Sequence, residues 1–93
     1  MREKTIEESL VSEVKKRDGL AFKFNSLGCN GVPDRIVLLP GHVVIFVELK
    51  APGKEMRPLQ KKRKRDIEAL GFKVICLDDR SKIGEILDGI QTV

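Results

Sequence analysis

The sequence predicts a mixed α/β fold in which a small sheet is flanked by helices. Apolar residues recur at helical spacing near both ends of the chain, and β-branched apolar runs occupy its centre. Segments that contain Gly, Pro or Asn separate these runs. The predicted order of elements is α-β-β-β-α-β-α, which is typical of a mixed sheet with helices packed on it.

The first predicted helix comprises about residues 4–17. Thr5 is placed to act as its N-cap, Glu8 completes a capping box, and Asp18-Gly19 ends the helix. The apolar residues at helical spacing are Ile6, Leu10, Val11 and Val14.

Three strands are predicted to follow this helix. In the first, LAFKF, alternate apolar residues share one face. After a loop rich in Asn and Gly, the runs DRIVLL and HVVIFVELK flank residues 39–42, where Pro40 and Gly41 fit a type II turn. These two runs should form an antiparallel hairpin.

The last third of the chain predicts a helix, a strand and a final helix. The helix should begin near Pro58 and end at Gly71. The run FKVICL predicts a strand that buries Cys76, and residues 81 to about 91 predict the last helix. The apolar side of the Pro58 helix should consist of Leu59, Ile67 and Leu70.

Composition limits the functions that the chain can have. Its 93 residues predict a single domain, 1–93, small enough to favour a homodimer, and the net charge of +4 favours anionic partners such as nucleic acid. Two distant cysteines form neither a zinc motif nor a disulfide framework, which favours a reducing cytoplasm. No segment resembles a signal peptide or a membrane span.

Two carboxylates occupy unusual places in the predicted hairpin. Asp34 opens one strand behind a proline, and Glu48 lies near the end of an almost entirely apolar strand, where a charge is costly unless it is paired or coordinated. Alternation places Glu48 and Lys50 on the same face, about 7 Å apart along the strand. Antiparallel pairing brings Asp34 beside Glu48.

This arrangement has two interpretations. Adjacent carboxylates repel each other unless a proton or cation lies between them, and hard oxygen ligands select a hard divalent ion such as Mg²⁺ or Mn²⁺. A nearby ammonium could then orient water or stabilise a transition state in phosphoryl transfer. Alternatively, Asp34 caps a turn, and Glu48 and Lys50 form an ion pair on an edge strand.

The ordered motifs favour the first interpretation. The stretch GVPDRIVLLPGHVVIFVELKAPGK, followed by PLQ, resembles the VRR-NUC family of the PD-(D/E)xK nuclease superfamily. The resemblance covers nearly the whole chain. It implies a restriction-endonuclease-like α-β-β-β-α-β core with a C-terminal helix, similar to phage nucleases and to dimeric Holliday-junction resolvases.

The resemblance also implies roles for particular residues. Asp34 and Glu48 would bind Mg²⁺, for which Mn²⁺ could substitute, together with the backbone carbonyl of Leu49. Lys50 would be the catalytic lysine. The remaining two site residues would be Gln60, which helps to hold the site together, and a first-helix glutamate that reaches the metal or its water. Glu7 aligns with this glutamate better than Glu8 does.

Basic residues should contact the DNA backbone. The run KKRKR at residues 61–65 could instead be a solvated helix surface or a targeting signal. Two positions depart from the family pattern: Arg57 replaces a helix-capping Ser, and Asn30 replaces a basic residue. The predicted DNA contacts are Lys23, Arg35, Lys54, Lys61, Lys64 and Arg65.

The sequence thus predicts a Mg²⁺-dependent DNA endonuclease with no small-molecule cofactor. The resemblance implies a homodimer that acts on branched DNA, such as four-way junctions, in the cytoplasm of a bacterial or phage-infected cell. The alternatives are a non-catalytic DNA-binding module and an accessory subunit of a larger nucleic-acid-processing complex.

Overall fold

The chain folds in the predicted order α-β-β-β-α-β-α, with a short 3₁₀ turn, Arg80–Lys82, before the last helix. The computed structural model describes residues 1–91. Within these residues, no helix combines the length and the apolar character needed to cross a membrane. The helices and strands are α1 (Glu3–Lys16), β1 (Leu20–Lys23), β2 (Arg35–Leu39), β3 (Val43–Leu49), α2 (Pro58–Glu68), β4 (Lys73–Leu77) and α3 (Ile83–Gln91).

The four strands form one mixed sheet in the order β1-β2-β3-β4. β2 pairs antiparallel with β1 and with β3, and β4 pairs parallel with β3 after the crossover through α2. The beginning of β2 and the ends of β3 and β4 therefore lie at the same end of the sheet. This end contains both carboxylates that the sequence singled out.

A tight turn connects β2 and β3, as predicted. Leu39 pairs with Val43, so residues 40–42 form the connection. Gly41 has a φ of 86°, the left-handed conformation that a type II turn requires at this position, and His42 follows with a φ of 66°.

One face of the sheet is covered by α1 and α3. Apolar residues of both helices pack there against alternate residues of β2, β3 and β4, because side chains on one face of a strand recur every second residue. The buried cluster consists of Ile6, Leu10, Val14, Val37, Leu39, Ile45, Val47, Leu49, Leu77, Ile83 and Leu87.

The other face is only partly covered. α2 packs beside β4, and the ring of Phe46 contacts Phe24 and Phe72, with centroids 5.9 Å and 5.8 Å away. On the edge strand β1, Leu20 and Phe22 remain 55% and 53% exposed. An apolar surface therefore extends across the β1 side of this face.

The ends of α1 differ in how well they were predicted. The helix begins at Glu3, Arg2 is its N-cap, and no side chain caps it, so the predicted Thr5 cap is wrong. It ends as predicted before Asp18-Gly19, with Asp18 in the left-handed conformation at a φ of 60°. A Cβ on Gly19 would lie 2.6 Å from the carbonyl oxygen of Leu38, which explains the need for glycine there.

Two predictions for the last third of the chain are wrong. Leu59 and Leu70 are exposed, so the predicted apolar side of α2 is not buried as a whole, and the only buried residue of this helix is Gln60. Cys76 is also exposed. The reason is that one short helix leaves part of this sheet face open, whereas the prediction assumed full coverage.

Candidate active site

Asp34 and Glu48 meet across β2 and β3. The register pairs Arg35 with Val47, so the next residues outward, Asp34 and Glu48, lie opposite each other. Two hydrogen bonds hold Asp34 in place: its Oδ2 accepts from the Leu49 amide at 2.8 Å, and its carbonyl accepts from the Phe24 amide at 2.8 Å. The predicted pair of carboxylates is therefore formed.

The Glu48 carboxylate is buried and incompletely paired. Its residue is 1% exposed, and Oε2 lacks a hydrogen-bond partner among the described residues. Burial raises the pKa of Glu48 to about 8, and the Asp34 carboxyl adds to the increase through a hydrogen bond and its charge. The charge of Lys50 acts in the opposite direction.

This environment suits a hard cation. An orphaned buried carboxylate oxygen beside a second carboxylate supplies negative charge and hard oxygen donors, which Mg²⁺ prefers. Within residues 1–91, no group of three or more His, Cys, Asp or Glu side chains could hold a metal ion. Water, phosphate or the Leu49 carbonyl would have to supply further ligands, as is usual for Mg²⁺.

Lys50 lies beside this pair. It follows β3, and alternation places its side chain on the same face as Glu48. Its amide donates to the carbonyl of Leu77 at 3.0 Å, which fixes the backbone at the end of β4. Its positive charge opposes the increase in pKa that burial causes at Glu48 and at Cys76. The ammonium is thus within electrostatic reach of the carboxylates.

Gln60 has a structural contact that the sequence did not specify. It is buried in the first turn of α2, and its Oε1 accepts from the Arg57 amide at 2.8 Å. The side chain thereby satisfies one of the free amides at the start of the helix, although Arg57 replaces the capping serine of the family. A direct role of Gln60 in catalysis stays a prediction.

The structure gives Glu7 a different neighbour from the predicted one. Its Oε2 accepts from Arg35 Nε at 2.9 Å, so both residues are engaged in an ion pair. The α1 carboxylate that acts on Glu48 is Glu3, whose charge raises the pKa of Glu48. Glu3 lay outside the predicted helix, but its position four residues before Glu7 was a signal that it shares the same helical face.

The predicted DNA contacts are distributed unevenly. Lys23 pairs in register with Arg35, so alternation directs both away from the face that bears Asp34 and Glu48. Lys54 is exposed in the loop after β3, and Lys61 and Arg65 are exposed on α2. Lys64 lies 4.0 Å from Glu68, and its positive charge opposes the increase in pKa that burial causes at Cys76, the register partner of Glu48.

The glycine of the GVPD segment has a packing role that sequence reasoning missed. Gly31 has a φ of 83°, and a Cβ there would lie 2.8 Å from Leu59 Cγ. The loop before Asp34 and the first turn of α2 therefore approach each other closely. The glycine and proline that flank Val32 were the available signal for such a constrained backbone.

The chain is similar in sequence to a phage protein and in fold to a solved domain. The chain is 51% identical over 91 residues, or 98% of its length, to a protein described as "Putative nuclease p44" from Acyrthosiphon pisum secondary endosymbiont phage 1, of which it covers 97%. The fold superposes on a solved VRR_NUC domain with a TM-score of 0.86 and 23% identity, covering 92% of this chain and 94% of that one. No protein-family model matches the sequence.

We expect the metal-free protein to lose stability as the pH increases from about 4.5 to about 8. The unfolded chain releases the Glu48 proton near the ordinary pKa of 4.5, whereas the folded protein retains it until about pH 8. Because the folded state binds more protons in this window, increasing pH favours unfolding. The contribution to stability is complete below the unfolded pKa and is lost above the folded one.

Thermal unfolding in EDTA between pH 5 and 8.5 measures this effect. Glu48→Gln should flatten the pH dependence of Tm. The control Glu13→Gln should keep the wild-type slope, because salt bridges to Lys16 and Arg17 lower the pKa of Glu13, so that its titration lies below this range. Equal slopes for wild type and Glu48→Gln would contradict the raised pKa.

Proposed function

We infer that this chain is a nuclease, because it belongs to the family of the phage protein described as "Putative nuclease p44" and has the fold of the VRR_NUC domain. We propose that it is a Mg²⁺-dependent endonuclease that hydrolyses phosphodiester bonds in DNA. The observation that carries this proposal is the unpaired, buried Oε2 of Glu48 beside Asp34. A bound cation would offset the cost of burying these two carboxylates and would reduce the repulsion between them.

Asp34, Glu48 and the Leu49 carbonyl would hold the Mg²⁺, and Mn²⁺ would substitute for it. When bound, the ion would offset negative charge on the scissile phosphate and make water more acidic. The protein contributes the rigidity of the site, because the Leu49 amide already holds the Asp34 carboxylate. The site therefore needs little reorganisation before substrate binds.

Lys50 would act on the phosphate or on the attacking water. Its ammonium is on the carboxylate face of the sheet and within electrostatic reach of Glu48. A fixed positive charge there stabilises the additional negative charge that develops on the phosphate oxygens in the transition state. In this proposal, Gln60 keeps the first turn of α2 in place beside the GVPD loop.

DNA would approach along α2 and the loop after β3. Lys54, Lys61 and Arg65 are exposed on these segments, and Lys64 lies near Cys76, the register partner of Glu48. The net charge of +4 supports an anionic substrate. We extend the proposal to branched DNA in the cytoplasm of a bacterial or phage-infected cell, on the strength of the VRR-NUC resemblance.

We also propose that the nuclease acts as a homodimer. Leu20 and Phe22 are more than half exposed on the same sheet face, together with the half-buried side chains of Ile36, Leu38 and Val44. Monomeric proteins seldom expose a continuous apolar surface of this kind. The same surface on a second copy is complementary in character, because a twofold axis pairs identical patches.

Cleavage assays on linear, nicked, flap and four-way DNA, with an RNA hairpin as comparison, test the proposed activity. We expect Mg²⁺ or Mn²⁺ to be required, and Asp34→Ala and Glu48→Ala to abolish cleavage while each variant remains folded. In the metal-free protein, Asp34→Ala should cost some stability, because the Leu49 amide loses its acceptor, whereas Glu48→Ala removes a buried carboxylate whose Oε2 has no hydrogen-bond partner within the described residues. Near wild-type cleavage by Asp34→Ala would refute the assignment.

Lys50→Ala should reduce turnover much more than DNA affinity. The proposed interaction is formed in the transition state, so we expect the single-turnover rate to decrease by about 10²-fold or more, as when one preorganised electrostatic group is removed. Rapid-quench measurements at saturating protein, together with binding in EDTA, separate the two effects. An unchanged rate with weaker binding would show that Lys50 only contacts phosphate.

The basic residues of α2 should determine how DNA affinity depends on salt. Lys61→Gln/Lys64→Gln/Arg65→Gln should weaken binding, and the slope of log affinity against log salt should decrease by about 0.9 for each lost phosphate contact. The matched control Lys15→Gln/Lys16→Gln/Lys73→Gln removes three exposed charges from other elements and should keep the slope. An unchanged slope in the α2 variant would identify the run as a solvated surface.

Phe22→Lys should convert the dimer to a monomer, because it places a charge within the apolar surface. Light scattering after size-exclusion chromatography measures the mass directly. Leu27→Lys is a matched control, because Leu27 is a fully exposed leucine in a loop, and this variant should remain dimeric. A monomeric wild-type protein at micromolar concentration would contradict the homodimer.

A further inference from the structure

The Asp34-Arg35 dipeptide projects its two charges to opposite faces of the sheet. Asp34 lies on the face with Glu48, and Arg35 lies on the face covered by α1, because consecutive strand residues alternate. Arg35 Nε donates to Glu7 Oε2 at 2.9 Å, and its Nη1 donates to the carbonyl of Ala21 at 2.9 Å. One guanidinium thus connects β2 to α1 and β1.

The surroundings make this connection stronger than a surface ion pair. The side chains of Arg35 and Glu7 are only 14% and 25% exposed, so water screens their attraction weakly. Because the guanidinium is planar, its Nε and Nη1 donors point in fixed directions, one towards the Glu7 carboxylate and the other towards the Ala21 carbonyl. The beginning of β2 is therefore held firmly on the side opposite the candidate site.

Asp34 depends on this connection because it stands between a loop and a fixed strand. Residues 24–34 separate β1 from β2, and Arg35 is the first strand residue after them. Asp34 itself is held by the amides of Leu49 and Phe24. Without the contacts of the Arg35 side chain, the first residue of β2 would be held less firmly. The Asp34 carboxylate would then be attached to a more mobile backbone.

We propose that Glu7 and Arg35 are a pair of positioning residues that fix Asp34 for metal binding. Glu7 is then neither a metal ligand nor an acid–base group, and Arg35 is not a phosphate contact. The inference rests on the proposed nuclease function only in its claim that the position of Asp34 affects metal binding. The positioning itself can be measured in the metal-free protein.

Amide hydrogen exchange reports directly on Asp34. The Leu49 amide donates to Asp34 Oδ2, whereas the adjacent Lys50 amide donates to the carbonyl of Leu77. Glu7→Gln and Arg35→Gln should each accelerate exchange several-fold more at Leu49 than at Lys50, because the acceptor of the Leu49 amide opens more often when it is no longer held in place. The ratio of the two rates corrects for any general loss of stability.

The chain offers a matched control at the other end of α1. Arg17 Nη1 pairs with Glu13 at 3.0 Å, with 18% and 30% of the side chains exposed. Glu13→Gln therefore removes a similar carboxylate from the same helix, away from Asp34. It should leave the exchange ratio of Leu49 to Lys50 at the wild-type value.

Metal titrations connect the positioning to function. The Mg²⁺ concentration that gives half of the maximal increase in Tm should increase by about tenfold in Glu7→Gln and in Arg35→Gln. The double variant should be no worse than Arg35→Gln, because the second substitution removes nothing from a pair that is already broken. DNA affinity in EDTA and its salt slope should remain close to wild type.

Each alternative gives a different result. An effect of Glu7→Gln on Mg²⁺ without an effect of Arg35→Gln would make Glu7 a ligand and would overturn the inference. Weaker DNA binding with a shallower salt slope in Arg35→Gln alone would make Arg35 a phosphate contact. An unchanged Leu49 exchange ratio in both variants would overturn the positioning, even if the wild type cleaves DNA.

A wild type without cleavage or response to Mg²⁺ contradicts the proposed function, while the exchange ratio still decides the positioning.

Discussion

The arrangement of this protein depends on the burial of one carboxylate at the end of an apolar strand. Glu48 lies in β3 between Val47 and Leu49, which belong to the core, and its Oε2 is unpaired. The cost of this burial can be reduced by a proton, which the raised pKa reflects, or by a cation. Such a local cost at a functional site is tolerated because the rest of the fold stabilises the strand that contains it.

The two faces of the sheet differ in how completely helices cover them, and this difference explains how a small chain tolerates the cost of burying Glu48. α1 and α3 bury a continuous cluster on one face, so most of the apolar stabilisation is concentrated there. The other face can then carry charged groups at one end and an open apolar surface at the other. Parallel pairing of β3 and β4 completes the charged end, since it brings Lys50 and Leu77 into contact through the backbone.

Local patterns predicted the order of elements, the β2–β3 hairpin and the adjacency of Asp34 and Glu48. These follow from alternation, turn residues and antiparallel pairing, which are all short-range rules. The exposure of Cys76 and Leu70 could not be predicted, because it depends on how much of the sheet α2 covers. The helix start at Glu3 was missed for a related reason: α1 is held by packing, whereas the Thr5 prediction assumed that a side-chain cap defines the start.

A long-range ion pair is the contact of a predicted site residue that the sequence did not reveal. Glu7 and Arg35 are 28 positions apart in the sequence, so no local pattern could reveal that they neutralise each other. The ion pair engages the Glu7 carboxylate, and the charge of Glu3, one turn earlier on α1, contributes to raising the pKa of Glu48. Since strand alternation separates Asp34 from Arg35, one dipeptide can present a carboxylate to the site and a guanidinium to the scaffold. The two residues thus direct one charge to the candidate site and the other to the helix-covered face of the sheet.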